Sequence, residues 1–201
     1  MASSVSITPY ATTGFSGGFV VSTTGYIQGT FLDDPAMRYQ LEGGIVASRQ
    51  ETPLWGGLPV TLAVPNVGVN EQGPTLVSAT SLASIDGWTF FNQASAGVIT
   101  PGSNVPLYPS GTSLNFARPG SLLRIALPVA NSTILNDLAG AAPTVDLYWD
   151  PTNLCITTSS SETYGPLPVQ LETLSATSET VTYSGGLANW NTSGYVAVVR
   201  I

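Results

Sequence analysis

Few side chains in this sequence are placed to do chemistry. Asp33-Asp34-Pro35 is its densest acidic spot. Adjacent carboxylates can hold a hard cation such as Ca²⁺. An Asp-Asp-Pro loop, with its carboxylates bonded to nearby backbone, needs no ion and is the expectation here. Asp146 and Asp150 flank Trp149, and two carboxylates beside an aromatic ring suggest glycoside hydrolysis. Residues four apart on a strand share a face but lie about 13 Å apart. Either glycosidase geometry needs roughly 5–9.5 Å, so only carboxylates converging from distant strands would serve. Cys155 is the single cysteine. With no histidine or lysine to activate it, it is expected to be a buried structural thiol. Asn131-Ser132-Thr133 and Asn191-Thr192-Ser193 match the glycosylation pattern, which a Ser/Thr-rich chain produces by chance.

What is missing excludes more. The 201 residues contain no histidine, and their five cations are all arginines. A Ser-His-Asp triad, a Cys-His pair and a His-ligated zinc site are therefore impossible. So are a P-loop and a Schiff base, which need lysine. One cysteine forms neither an intrachain disulfide nor a multi-cysteine metal site. No catalytic, cofactor-binding or metal-binding residue is expected, and the chain is expected not to be an enzyme. Twelve carboxylates against five arginines give a net charge of −7, without the basic stripe that nucleic acid requires. Charged residues make up 8% of the chain, against about 25% in ordinary soluble domains. Mean hydropathy is +0.23. Low charge with positive hydropathy points to a surface covered by partners. Disorder does not fit a chain that is 43% hydrophobic along its whole length.

The opening MASSVSITPY has no charged and apolar segments of a secretory signal. No apolar run reaches the roughly 18 residues of a membrane span, so no membrane partner is expected.

The contact candidates are aromatic and cationic. Four tryptophans and eight tyrosines could stack on sugars, but in an all-β chain they more often fill a core or an interface. Trp55, in Pro53-Leu54-Trp55-Gly56-Gly57, is expected to be an exposed interface anchor, and Trp88, near Phe90 and Phe91, a core residue. Arginines in an acidic chain tend to pair bidentately with carboxylates. Arg38 and Arg49 are candidates for a subunit contact; Arg118 and Arg124 flank a turn at Pro119-Gly120. Pairing within the fold is equally open for all of them.

The elements that must position these residues are strands. Runs of Val, Ile, Thr, Tyr and Phe divided by Gly, Pro, Asn and Ser predict an all-β fold, a β-sandwich or barrel-like core. The predicted strands are 5–10, 18–28, 38–47, 59–64, 88–92, 113–117, 122–129, 145–149, 154–158, 169–174, 177–183 and 195–201. Gly43-Gly44 suggests a bulge, and Asp86-Gly87 and Gly185-Gly186 suggest hairpin turns. Asn131 or Ser132 could cap a helix of at most two turns carrying Ile134, Leu135 and Leu138. One or two short helices at most are expected. The stretch 65–74 suggests a boundary between an N-terminal arm and β segment, 1–65, and a β-rich core, 75–201, with one continuous domain as the alternative. The first fifteen residues could be an extended arm lying on a neighbour.

Two stretches carry a resemblance. The first runs from Gly25-Tyr26-Ile27-Gln28-Gly29-Thr30-Phe31-Leu32-Asp33-Asp34-Pro35-Ala36-Met37-Arg38-Tyr39 through Leu41-Glu42-Gly43-Gly44 to Pro53-Leu54-Trp55-Gly56-Gly57. The second runs from Asp86-Gly87-Trp88 through Phe91-Asn92-Gln93, Pro106-Leu107-Tyr108 and Leu123-Arg124-Ile125-Ala126 to Asp146-Leu147-Tyr148-Trp149-Asp150. Together they resemble small structural proteins of tailed-bacteriophage virions, nearest in role to head decoration, or cement, proteins. The resemblance implies a protein on the outer capsid surface of the virion, assembled in the host cytoplasm. It would bind the major capsid protein and neighbouring copies of itself, often as a trimer, and bridge capsomers. Ile7, Tyr10, Arg38, Arg49 and Trp55 are the expected contact residues. The alternatives are another virion component, in the head–tail connection or tail, and a carbohydrate-binding β-sandwich using Trp55 or Trp190.

Overall fold

The computed structural model describes residues 25–33, 35–65, 73–79, 85–91, 97–160 and 165–201. They form a closed barrel and a second sheet that share one core, in keeping with the all-β expectation. The predicted strand 5–10, with Ile7 and Tyr10, lies outside the described residues.

A short 3-10 helix, Pro35–Gln40, leads into the barrel. Five strands build it: β1 (Glu42–Val46), β2 (Pro59–Ala63), β3 (Thr75–Ser78), β4 (Gly87–Phe90) and β5 (Ser113–Ala117). Their order is β1-β3-β2-β4-β5, closed by antiparallel pairing of β1 with β5. Closure leaves no edge strand exposed. Val46, Val60, Leu76, Trp88, Phe90, Leu114 and Phe116 are fully buried. Gly43 and Gly44 pair with Asn115 and Leu114 in unbroken register, so the expected bulge is absent. Gly44 is needed for packing instead: a Cβ there would lie 2.8 Å from Leu76 Cγ. Asp86-Gly87 is no hairpin turn either. Gly87 starts β4 opposite Val60, and Asp86 ties β2 by accepting from Leu62 N at 2.8 Å.

The second sheet contains β6 (Arg124–Val129), β7 (Tyr148–Asp150), β8 (Cys155–Thr157), β9 (Gln170–Ser184) and β10 (Leu187–Arg200), in the order β7-β8-β6-β10-β9. Helix α1 (Ser132–Leu138) follows β6. Asn131 Oδ1 accepts from Ile134 N at 3.0 Å, and Leu135 and Leu138 are buried, matching the two-turn helix expected. β9 and β10 form one long hairpin through Gly185 and Gly186, both at positive φ (59° and 84°), as a type I′ turn requires. Three shorter strands were expected in this region. The polar run Ser175-Ala176-Thr177-Ser178 lacks the alternation of a half-buried strand, yet register shifts around Gly194 carry the pairing through.

Across the stretch 65–74, Ala63 of β2 pairs with Thr75 of β3. The chain leaves the barrel at residue 117 and enters the second sheet at residue 124. The turn between them closes with Ser121 N donating to Arg118 O at 3.1 Å. Trp88 of the barrel meets Trp149 of the sheet edge-to-face at 5.3 Å, so barrel and sheet fill one core.

Candidate interaction surface

Residues 25–32 form a strap over the joint between barrel and sheet. Its backbone bonds go to three elements: Gln28 N to Glu179 O (2.8 Å), Gly29 N to Ala126 O (2.8 Å), and Phe91 N to Gly29 O (2.8 Å). Gln28 is 1% exposed. Its Nε2 donates to Gly56 O at 3.2 Å, and its Oε1 accepts from Val181 N at 2.8 Å. One amide side chain thus joins strap, barrel and hairpin. Gly29 (φ 70°) passes so close to the Gly56-Gly57 backbone that a Cβ would lie 2.2 Å from Gly56 C, which only glycine tolerates. The sequence shows only a glutamine beside a glycine, with no sign of partners 28 and 153 residues away.

The strap ends in a charged cluster. The Asp33 side chain, 9% exposed, accepts from Arg124 Nε at 2.8 Å and from Arg124 N. Arg124 Nη2 donates to Leu32 O at 2.9 Å. Arg124 Nη1 lies 3.9 Å from Glu172 Oε2, and Arg200 Nε donates to Glu172 Oε1 at 2.6 Å. On the barrel, Arg118 binds Glu42 bidentately at 2.7 and 3.1 Å. The hydrogen bond it donates to Asp33 holds the Arg124 guanidinium above its ordinary pKa, and the one to Glu42 does the same for Arg118. Asp33 is a structural anchor, but it bonds Arg124, 91 residues away, where nearby backbone was the expected partner. Among the described residues, no three potential ligands gather to hold a metal.

The opposite end is neutral. The sequence has no charged side chain between Asp86 and Arg118, nor between Glu179 and Arg200. The fold joins these two runs. Asn104 N donates to Ala188 O at 3.1 Å, Ala188 N to Ser103 Oγ at 3.0 Å, and Trp190 N to Asn104 Oδ1 at 2.8 Å. Here Val98, Ile99 and Leu187 are 45%, 58% and 42% exposed, and Gly102 sits against Leu187. Glu172 and Ser184, on the same strand, mark the two ends, roughly 40 Å apart at about 3.3 Å per residue.

The expected contact residues do not converge. Arg38 lies in the 3-10 helix, its side chain outside the described residues. Arg49 is exposed on the loop after β1, close to Glu51 in sequence. Trp55 is a correction. It is 2% exposed, not an exposed anchor. Its ring stacks on Tyr183 at 5.2 Å, and its carbonyl accepts from Thr89 Oγ1 at 2.6 Å. The glycine-rich loop looked solvent-facing, but the β9–β10 hairpin covers it. Trp190 is half-buried against Phe91. Neither ring lies open as a free stacking platform.

Asp150 does local work: it accepts from Thr152 N, Asn153 N and Asn153 Nδ2 at 2.8, 3.1 and 2.6 Å. Burial pushes its carboxyl up, but the bonds from Asn153 and Thr152 outweigh that and hold it below its ordinary value. Burial, and then the Asp150 charge, push the Cys155 thiol up to about 12, as a structural cysteine requires. Exposed Val98, Ile99 and Leu187 escaped the sequence reasoning; the uncharged runs around them were the available signal.

Compared with protein-family models, curated protein sequences and solved structures, the chain has no match.

Proposed function

We propose that this chain is a non-enzymatic structural protein of a phage virion that decorates the outer surface of the head, binds the major capsid protein and touches neighbouring copies of itself. The resemblance described above supplies the role. One observation carries it structurally: Arg118, Arg124 and Arg200 are each paired with carboxylates inside the fold. These three arginines are thereby engaged within the fold, and uncharged side chains and backbone are left to supply much of any contact, which suits a protein covered on several sides. The strap adds a second support. Residues 1–24 join the described chain where Gly25 N bonds Thr177 O on the outer side of β9, a position from which backbone pairing can extend to a neighbour. Many weak contacts in adjacent copies then give slow release, and binding the assembled shell rather than its free subunits stabilises the shell.

Quantitative mass spectrometry of purified particles tests the role. A copy number comparable to the major capsid protein is expected. A few copies per particle would move the chain to the connector or tail, and none would remove it from the virion. Deleting residues 1–12 is expected to weaken particle binding while far-UV circular dichroism stays unchanged; undiminished binding would refute the arm.

A further inference from the structure

We propose that the slot beneath the strap is a peptide-binding site, which takes a segment carrying a carboxamide side chain followed by glycine at a turn, and that the strap is a releasable occupant holding it closed. Such a site is separate from the structural role proposed above and does not depend on it.

Hydrogen-bonding groups of three elements line the slot. In the sheet order β10 separates β6 from β9. The strap pairs with the remaining edge of each: Ile27 bridges Glu179 in parallel, and Phe31 bridges Ile125 antiparallel. Glu179 N donates to Tyr26 O at 2.9 Å, and Leu32 N donates to Arg124 O at 3.4 Å. On the barrel side, Phe91 N donates to Gly29 O, and Gly56 O accepts from Gln28 Nε2. Strand edges of this kind recognise added peptide segments through their main-chain groups.

The floor selects what enters. Thr30 N donates to Ile27 O at 3.2 Å, and Gly29 lies within this turn at φ 70°, the position where a type II turn requires glycine. Gly57 makes room for the residue before it, since a Cβ there would lie 2.8 Å from Gln28 Cγ. Gly56 O and Val181 N ask for one donor and one acceptor on the same side chain. A carboxamide supplies both; a carboxylate or an ammonium supplies only one kind.

Hydrogen bonds, more than apolar burial, hold the strap. Gln28 and Gly29 are buried, Ile27 is 41% exposed, and Tyr26, Thr30, Phe31 and Leu32 are half-buried. Segments with few buried apolar contacts lie at the low-stability end of a fold and open without global unfolding. None of residues 25–32 belongs to β1–β10 or to α1. Closure of the barrel by β1 and β5, and the Trp88–Trp149 contact across the joint, do not involve the strap.

Hydrogen exchange on the full chain tests release, and a labelled peptide tests the slot. The amides of Gln28, Gly29, Phe91, Glu179 and Val181 should exchange as one group, at least about 100-fold faster than the β6–β10 ladder. Gln28→Ala removes two hydrogen bonds and should speed that group by about tenfold, with the ladder unchanged. A fluorescein-labelled peptide of residues 25–33, followed by anisotropy, should bind the Gln28→Ala chain about tenfold more tightly than wild type, whose own strap competes at high effective concentration. Bound peptide should slow exchange again at Phe91, Glu179 and Val181. The same peptide with Gly29→Ala should bind neither chain. The variant should keep the wild-type circular dichroism spectrum. If it does not, Thr30→Ala replaces it, losing only the exposed hydroxyl bond to Ile27 O at 2.7 Å; the same direction is then expected, at about twofold to threefold.

Strap amides that exchange only together with the ladder overturn release. Fast strap exchange with no gain in peptide binding in the loosened variant overturns the binding site. Equal binding of the Gly29→Ala peptide, or binding that leaves Phe91, Glu179 and Val181 unprotected, also overturns it, because the peptide would then sit elsewhere.

Discussion

At the base of the β9–β10 hairpin, Glu172 and Arg200 join Arg124 and Asp33 in a charge network that ties strap to sheet. Toward its tip, where Thr180 pairs with Asn191, residues 180–191 carry no charge and Leu187 is exposed. The strands are continuous, so backbone pairing does not make the difference. At the base, side chains close the fold on itself. At the tip, main-chain and amide bonds satisfy the polar groups and the apolar side chains are left over. Side-chain charge is thus concentrated at one end of the element and absent from the other.

Both ends depend on the core between them, and breaking that core should erase the comparison. Trp88 is fully buried and meets Trp149 across the joint. Trp88→Ala is expected to cost about 3–5 kcal/mol, seen as a lower urea midpoint. Far-UV dichroism and the fluorescence of the remaining tryptophans should still fall in one transition. Two separated transitions would show that barrel and sheet unfold independently and that the ends do not share one core.

The next effect sharpens the contrast directly. Asp33→Ala removes a nearly buried acceptor from both Arg124 Nε and Arg124 N and is expected to cost about 1–3 kcal/mol of folding stability. Ile99→Asp, at an exposed residue of the neutral end, should shift folding stability by no more than about 0.5 kcal/mol. Equal losses in the two variants, read from urea midpoints, would contradict the division of labour between the ends.

Where the sequence is legible, the determinants are local. The strand at 113–117 is bounded by turn residues and alternates inward and outward. Asn131 caps the turn its side chain can reach, and Gly185-Gly186 supplies two positive-φ residues to a two-residue hairpin. Long-range determinants leave no such trace. Gln28 reads as an ordinary polar residue until Gly56 and Val181 come to it. Trp55 reads as exposed because Gly and Pro surround it, and only the hairpin's Tyr183 reverses that. β3 hides beside Pro74, because four residues carry too short a pattern to stand out. The neutral surface is written in the sequence as two empty charge runs, but their meeting depends on the hairpin reaching the loop at 103–104.

The smallest expected effect lies within the charged region and separates an anchoring ion pair from a superficial one. Arg118 binds Glu42 through two hydrogen bonds, yet both members of the pair are about half exposed, at 51% and 44%. Water screens such a pair and two long side chains lose rotamer freedom to form it, so Arg118→Ala should cost only about 0.2–1 kcal/mol. The loss should fade as salt rises, since exposed pairs are screened within a Debye length. The Asp33→Ala loss should persist, because that carboxylate also holds the backbone N–H of Arg124 away from water. Urea midpoints of both variants at low and high salt read the difference. If the Arg118 loss matched the Asp33 loss and resisted salt, bidentate geometry rather than burial would set the worth of an ion pair in this protein.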